Sequence, residues 1–173
     1  MKQISCLLVL CYALAATSAL FSQNFNIQLR DTLNYPGQTL ANVCGYAHDG
    51  REYALVGASK GLSIVDVTNP DNLVEIVQIP GIDNLWREIK VYSHYAYVTT
   101  EGGSGVQIVD LENLPSPNLS YRNYQGNGAI DSMLKKIHAL HIDTTKGFLY
   151  TFGGNLRGAM VHDLNTDPYY PVY

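Results

Sequence analysis

The chain has 173 residues, 11 Lys and Arg against 15 Asp and Glu, and a formal net charge of −4. That balance excludes the basic stripe with which a nucleic-acid binder neutralises phosphates, so no nucleic-acid partner is expected. Thirteen tyrosines, fifteen glycines and seven prolines beside only 15% charged residues suit many short strands joined by tight turns.

Residues 1–22 read as a secretory signal peptide. Met1-Lys2 supplies the positive tip, Ile4 to Ala16 the apolar run, and Thr17, Ser18 and Ala19 the small residues of a cleavage site, with cutting expected after Ala19 or Ser22. A membrane anchor needs roughly 20 apolar residues. This run is shorter, so no membrane span is expected once the signal is removed, and the mature chain is expected to be secreted or cell-surface. Bulky Leu10 before Cys11, and the early place of Cys6, argue against a lipoprotein. Cys44 is then the one cysteine left, so stability must come from packing rather than an internal disulfide. Its apolar neighbours, Ala41 to Tyr46, mark it as buried filler.

Residues 23–38 form a polar lead-in with a turn at Pro36-Gly37. Three blocks of one plan follow, at about 39–80, 84–126 and 136–173. Each opens on an apolar strand: Asn42 to Tyr46, Trp86 to Tyr92, Ile137 to Ile142. A short turn leads to a second strand rich in aromatic and β-branched residues: Tyr53 to Val56, Tyr95 to Val98, Phe148 to Thr151. The third strand is the recurrent one. It reads GLSIVDV from Gly61, GVQIVDL from Gly105 and, more worn, GAMVHDL from Gly158. A proline-bearing turn and a fourth strand close the first two blocks, as Leu73 to Ile79 and Leu119 to Tyr124.

The strand-ending aspartates lie 44 residues apart from Asp66 to Asp110 and 53 from Asp110 to Asp163. Four short strands in about 40–50 residues is a propeller-blade period. The extra length of the second interval is an insertion, Gly126 to Lys136, placed in a connecting loop. The fold class is therefore all-β, with blades of four antiparallel strands and about three blades of an incomplete propeller. Closed propellers use about four to eight blades, so the remaining blades of a longer chain, or those of other copies, are expected to complete the ring. The repeated aspartate is expected to stabilise the turn that follows it, because a short acceptor after a strand bonds the amide two residues on; the alternative is a shared metal role for Asp66, Asp110 and Asp163.

These same segments carry a resemblance. The runs 61–70 and 105–111 resemble LVIVD repeats. The ordered set Trp86 to Tyr92, Ala96 to Val98, Glu101 and 105–111, continued by His141 to Asp143, Gly147 to Tyr150 and Asp163 to Pro168, resembles the choice-of-anchor B family of bacterial surface proteins. The resemblance covers about residues 42–171 and implies an exported, propeller-forming protein with no established activity and a variable C-terminal anchor. The chain reaches Tyr173 without such a tail, which reads as the N-terminal part of a longer protein.

In a propeller the first strands line a channel, and the loops between blades gather at its mouth. Block alignment sets Asn42, Arg87 and His138 at equivalent positions there, with Trp86, Glu101, Lys60 and Arg157 on the same face. Polar groups converging on a concave mouth form a ligand-binding hypothesis. Two structural alternatives stand beside it: Arg87 pairing with Glu101, and Trp86 packing between blades. The metal candidates are His141 and Asp143, which share a strand face while His138 points the other way; no third ligand stands at a persuasive spacing, so no metal or other cofactor is expected. His94 and His48 fall in turns and read as solvated. No Gly-x-Ser-x-Gly elbow is present, and Gly102 to Gly105 precedes no helix that would make a phosphate cradle. The leading function is a binding or structural module at the cell surface, with protein or glycan partners and no catalytic residues. The alternative is a metal-assisted hydrolase of the lactonase type working at the mouth.

Overall fold

A computed structural model describes residues 26–173; the signal-peptide reading of 1–22 lies outside them. The chain divides into Met1–Arg30 and Asp31–Tyr173. Of the first unit, residues 26–30 are exposed and without regular structure.

The second unit holds three antiparallel sheets. The first runs β1 (Leu40–His48), β2 (Arg51–Ala58), β3 (Gly61–Asp66), β4 (Val74–Pro80); the second β5 (Arg87–Tyr92), β6 (Tyr95–Thr100), β7 (Val106–Asp110), β8 (Tyr121–Tyr124); the third β9 (Ala139–Asp143), β10 (Phe148–Phe152), β11 (Ala159–Asp163). Each sheet keeps its strands in chain order, as a meander does. Two-residue turns make the first hairpins of the first two sheets. Asp49 and Gly50 both take positive φ, 48° and 72°, the backbone that matches strand twist. The predicted insertion contains one short 3-10 turn, Gly128–Ile130. Val172 bridges Asp163 where a fourth strand of the third sheet would begin.

The sheets stack face to face, and the core lies between them. Tyr53, Leu55, Leu62 and Ile64 of the first sheet meet Ile89, Ala96, Val98 and Val109 of the second. Tyr97, Val106 and Ile108, from the opposite face of the second sheet, meet Leu140, Ile142 and Leu149 of the third. Alternation along each strand supplies this: successive side chains take opposite faces, so the middle sheet has two buried faces. The first strands β1, β5 and β9 are successive neighbours, the arrangement of propeller blades. The recurrent third strands β3 and β7 are nearly or wholly buried, which is why their apolar run repeats.

Polar contacts fix one blade on the next. The Gln107 amide donates to the Pro80 carbonyl at 2.9 Å, the Tyr97 hydroxyl to the Pro168 carbonyl at 2.7 Å, and the Leu140 amide to the Glu88 carboxylate at 3.2 Å. The repeated aspartates close their corners as the spacing predicts. Oδ1 of Asp66, Asp110 and Asp163 accepts from the amides of Thr68, Glu112 and Asn165 at 2.9, 3.0 and 2.7 Å.

Residues 31–38 of the lead-in run beside the first sheet, where the Tyr35 hydroxyl meets Ser63 Oγ at 2.8 Å and Asp31 accepts from the Leu73 amide at 2.9 Å. Cys44 is half-buried, not wholly so, and burial pushes its thiol pKa up. Val43 on the first blade, and Phe152 and Val161 on the third, remain exposed on the two end faces.

One part of the block alignment is corrected. Arg87 pairs with Thr100, and the matching pair in the first blade is Leu40 with Ala58. Between Leu40 and Val43 the register slips by one residue. Asn42 sits in that bulge and spends Oδ1 on the Val43 amide at 2.7 Å. It is therefore not the counterpart of Arg87 and His138.

Candidate functional site

The connections between blades cross the ends where β5 and β9 begin, each pinned to the preceding blade. Gly81 N donates to Lys60 O at 2.8 Å and Asn84 N to Ser59 O at 3.0 Å; one blade on, Gly105 N donates to Lys135 O at 2.8 Å and Ile137 N to Thr100 O at 3.1 Å. These backbone bonds set Trp86 and His138, just before their strands, beside the β6–β7 loop that carries Glu101.

Arg87 is not part of an open site. It is 3% exposed, and its guanidinium is occupied by backbone carbonyls: Nε by Ala58 at 2.6 Å, Nη2 by Ser59 at 3.0 Å and by Ile82. Burial lowers its pKa from the ordinary guanidinium value, and the Asp83 carboxylate opposes that shift. A planar five-donor fork suits this position, because a loop end leaves several carbonyls pointing at one spot. The pairing with Glu101 considered from sequence is not made.

Glu101 turns to the third blade instead. Its Oε1 accepts from His138 Nδ1 at 2.7 Å, and the Trp86 indole stacks on the same imidazole with centroids 5.0 Å apart and planes 11° from parallel. A carboxylate on Nδ1 fixes the proton there and leaves Nε2 as the outward nitrogen. Trp86 stays 45% exposed, so it both packs between blades and presents aromatic surface. Its backbone is held by Asn84 Oδ1, which accepts from the Trp86 amide at 2.9 Å.

An open cleft of about 390 Å³ adjoins this stack, lined by Asn84, Glu101, Lys136, Gly153, Gly154 and Asn155. Asn155 builds its wall: Oδ1 accepts from the amides of Lys135 and Lys136, both at 2.9 Å, and Nδ2 donates to the Met133 carbonyl at 2.8 Å. Gly153, at φ +71°, lets the His138 ring approach, since a Cβ there would stand 2.8 Å from His138 Cβ. The segment Gly153 to Asn155 reads from sequence only as a flexible loop; paired glycines directly after a strand are the signal that marked a close approach. The cleft sets the Asn84 amide, the Glu101 carboxylate and the Lys136 ammonium beside one aromatic face. Such a surface can hydrogen-bond hydroxyls while stacking on an apolar ring.

The other predicted residues are not among those that line the cleft. Arg157 is exposed on the β10–β11 loop and Lys60 on the β2–β3 turn. His141 is exposed on β9 beside Tyr150. Asp143 spends Oδ1 on Thr145 and Lys146, and the Thr145 hydroxyl, followed by the Lys146 amide, holds its pKa below the usual carboxylate range. Sequence reasoning missed a different convergence. His94, Asp110 and Glu112 bring one ligand-type atom each within 4.8 Å of one another, at the opposite end of the second blade.

The LVIVD repeat model matches residues 51–79 and 86–124. These spans take in β2 to β4 of the first sheet, without β1, and all of the second sheet, and β9 to β11 lie outside them. No match was found among curated proteins or among solved structures.

Proposed function

We propose that this LVIVD-repeat protein is an exported surface module that binds a hydroxyl-rich ligand, a glycan, at the cleft beside Trp86, Glu101 and His138. The observation that carries the reading is the stack itself: an exposed indole, an imidazole locked by a carboxylate, and a cleft edged with amides. Export rests on the signal-peptide pattern of residues 1–22, and the choice-of-anchor B resemblance agrees with a bacterial cell-surface location. Further blades, from a longer polypeptide or from other copies, would cover the apolar end faces at Val43 and at Phe152 and Val161.

The metal-assisted hydrolase reading needs metal ligands at this mouth. Among the described residues the converging ligand set lies at the other end of the blade, so binding accounts better for the mouth.

Titration of oligosaccharides against the full chain tests the proposal, with Trp86→Ala and Glu101→Gln as variants. Loss of a stacking tryptophan is expected to weaken capture by about tenfold or more, and Glu101→Gln to weaken it less. Glycan capture that is undetectable, or unchanged in Trp86→Ala, would sink the reading.

A further inference from the structure

We propose that His94, Asp110 and Glu112 form a site for a divalent transition ion, Zn2+ by the chemistry of its donors, at the end of the second blade remote from the Trp86 cleft. His94 is the second residue of the β5–β6 turn and Asp110 the last residue of β7. The two segments are locked together by the Leu111 amide, which donates to the His94 carbonyl at 2.8 Å. Glu112 N donates to Asp110 Oδ1 at 3.0 Å, folding the chain so that both carboxylates face the ring.

The imidazole is held in place by groups other than these carboxylates. Its Nδ1 lies 3.2 Å from Ser93 Oγ, and the ring rests on Tyr95 at a centroid distance of 4.1 Å. That leaves Nε2 facing Asp110 Oδ1 at 3.8 Å and Glu112 Oε2 at 3.9 Å. Both separations exceed the reach of an N–H···O hydrogen bond, about 3.2 Å. The nitrogen is thus nearly equidistant from two carboxylate oxygens and donates to neither. Donor atoms around a tetrahedral zinc, each at about 2.0–2.2 Å from the ion, stand roughly 3.4 Å apart. Small side-chain rotations reach that spacing. One nitrogen and two carboxylate oxygens match zinc, water filling the open position, and the Ser93 contact on Nδ1 is the outer support that ligating histidines usually have.

Charge points the same way. In the first blade the equivalent aspartate, Asp66, is paired with the Arg51 guanidinium. In the second blade no lysine or arginine among the described residues pairs with Asp110 or Glu112, and a second carboxylate has been added. Two adjacent carboxylates with no fixed cation make a locally anionic pocket that attracts a divalent ion, and the equidistant placement of Nε2 suits an ion held between the three. A bound ion would clamp the β5–β6 turn to the loop after β7.

Calorimetric titration of the chelator-stripped full chain with Zn2+ tests this, read beside thermal midpoints and the ring resonances of His94. One ion per chain, a raised midpoint and a shifted His94 resonance are expected. His94→Gln and Glu112→Gln should each weaken binding by about tenfold or more, while His141→Gln and Cys44→Ser leave it unchanged. Glu112 is largely exposed, so its variant should fold as the parent does. No saturable binding, affinity unchanged in both ligand variants, or binding abolished by Cys44→Ser would overturn the site. So would a His94 ring resonance that shows no response to Zn2+.

Discussion

The side chain of Arg87, the first residue of β5, donates from Nε to the carbonyl oxygen of Ala58, the last residue of β2, at 2.6 Å. A residue of the second blade thereby closes the open end of the first. The same guanidinium serves Ser59 and Ile82, so three carbonyls accept from it, the Ser59 carbonyl beside its bond from the Asn84 amide. Gly57 and Gly81 make room: a Cβ on Gly57 would stand 3.1 Å from Arg87 Cβ, and one on Gly81 2.9 Å from Nη2. Arg87→Met is expected to cost about 2–4 kcal/mol, because it strands buried acceptors. Denaturant unfolding measures this. Arg87→Lys should recover only part of the loss, since an ammonium lacks the planar fork. A variant as stable as the parent would show that the carbonyls are satisfied otherwise.

The corner aspartates should rank by what each one holds. Asp163 supports its turn through the Asn165 amide and side chain. Asp66 supports its own turn through the amide of Thr68 and also pairs with Arg51. Asp163→Ala is expected to cost about 1 kcal/mol for the turn bond, and Asp66→Ala about 1 kcal/mol more at most for the partly exposed ion pair. The Asp66 pKa is lowered, first by the Thr68 side chain and amide and then by Arg51. Its stabilising effect is therefore present at neutral pH and lost as the carboxylate protonates in acid. Equal midpoints for Asp66→Ala and Asp163→Ala in urea would refute the ranking.

Legibility from sequence followed periodicity. Strand alternation and the repeated strand-ending aspartate located three sheets and their corners, because the period-2 pattern and the two-residue amide contact are both local. Asn42 escaped because a bulge adds a residue without altering the apolar pattern around it. Arg87 escaped for another reason: a charged side chain before an apolar run reads as exposed, and its acceptors are a strand end and a turn over 25 residues away and the loop just before it. His138 and Glu101 were placed on one face, but their mutual bond was not foreseen, since 37 residues separate them. His94 read as an ordinary turn residue; only the fold brings Asp110 and Glu112 beside it.

Gly153 sets the position of His138. At φ +71° it occupies the left-handed region, and an added Cβ would press on His138 Cβ at 2.8 Å. Gly153→Ala should cost about 1–2 kcal/mol from backbone strain. It should also displace the imidazole from Glu101 and Trp86, so ligand capture falls even where the chain stays folded. Gly158 has φ +90° but nothing near its missing Cβ. Gly158→Ala therefore serves as the control: similar strain, unchanged capture. Equal binding by both variants would detach the stack from the ligand site.

His162 makes stability depend on pH between neutrality and mild acid. It is fully buried, with Nε2 3.1 Å from Thr151 Oγ1 and Nδ1 3.2 Å from the Tyr124 hydroxyl. No carboxylate faces either nitrogen among these contacts, and burial pulls its pKa down to about 4. In the unfolded chain the imidazole takes its proton near pH 6.5. Above that pH both states are neutral and the full stability is present. As pH falls toward 4 the unfolded state gains a proton that the folded state refuses, so stability declines by roughly 3 kcal/mol across the window. The lowered carboxylates act in more acidic solution, which separates their effect from this one. Urea midpoints from pH 7 to pH 4.5 should fall steadily for the parent and stay nearly level for His162→Gln. That variant starts from a lower stability, since the amide fills the site less well than the ring. A parent slope matching the variant's over this range would mean that His162 accepts its proton while folded, and that the Tyr124–Thr151 cradle does not exclude the charge.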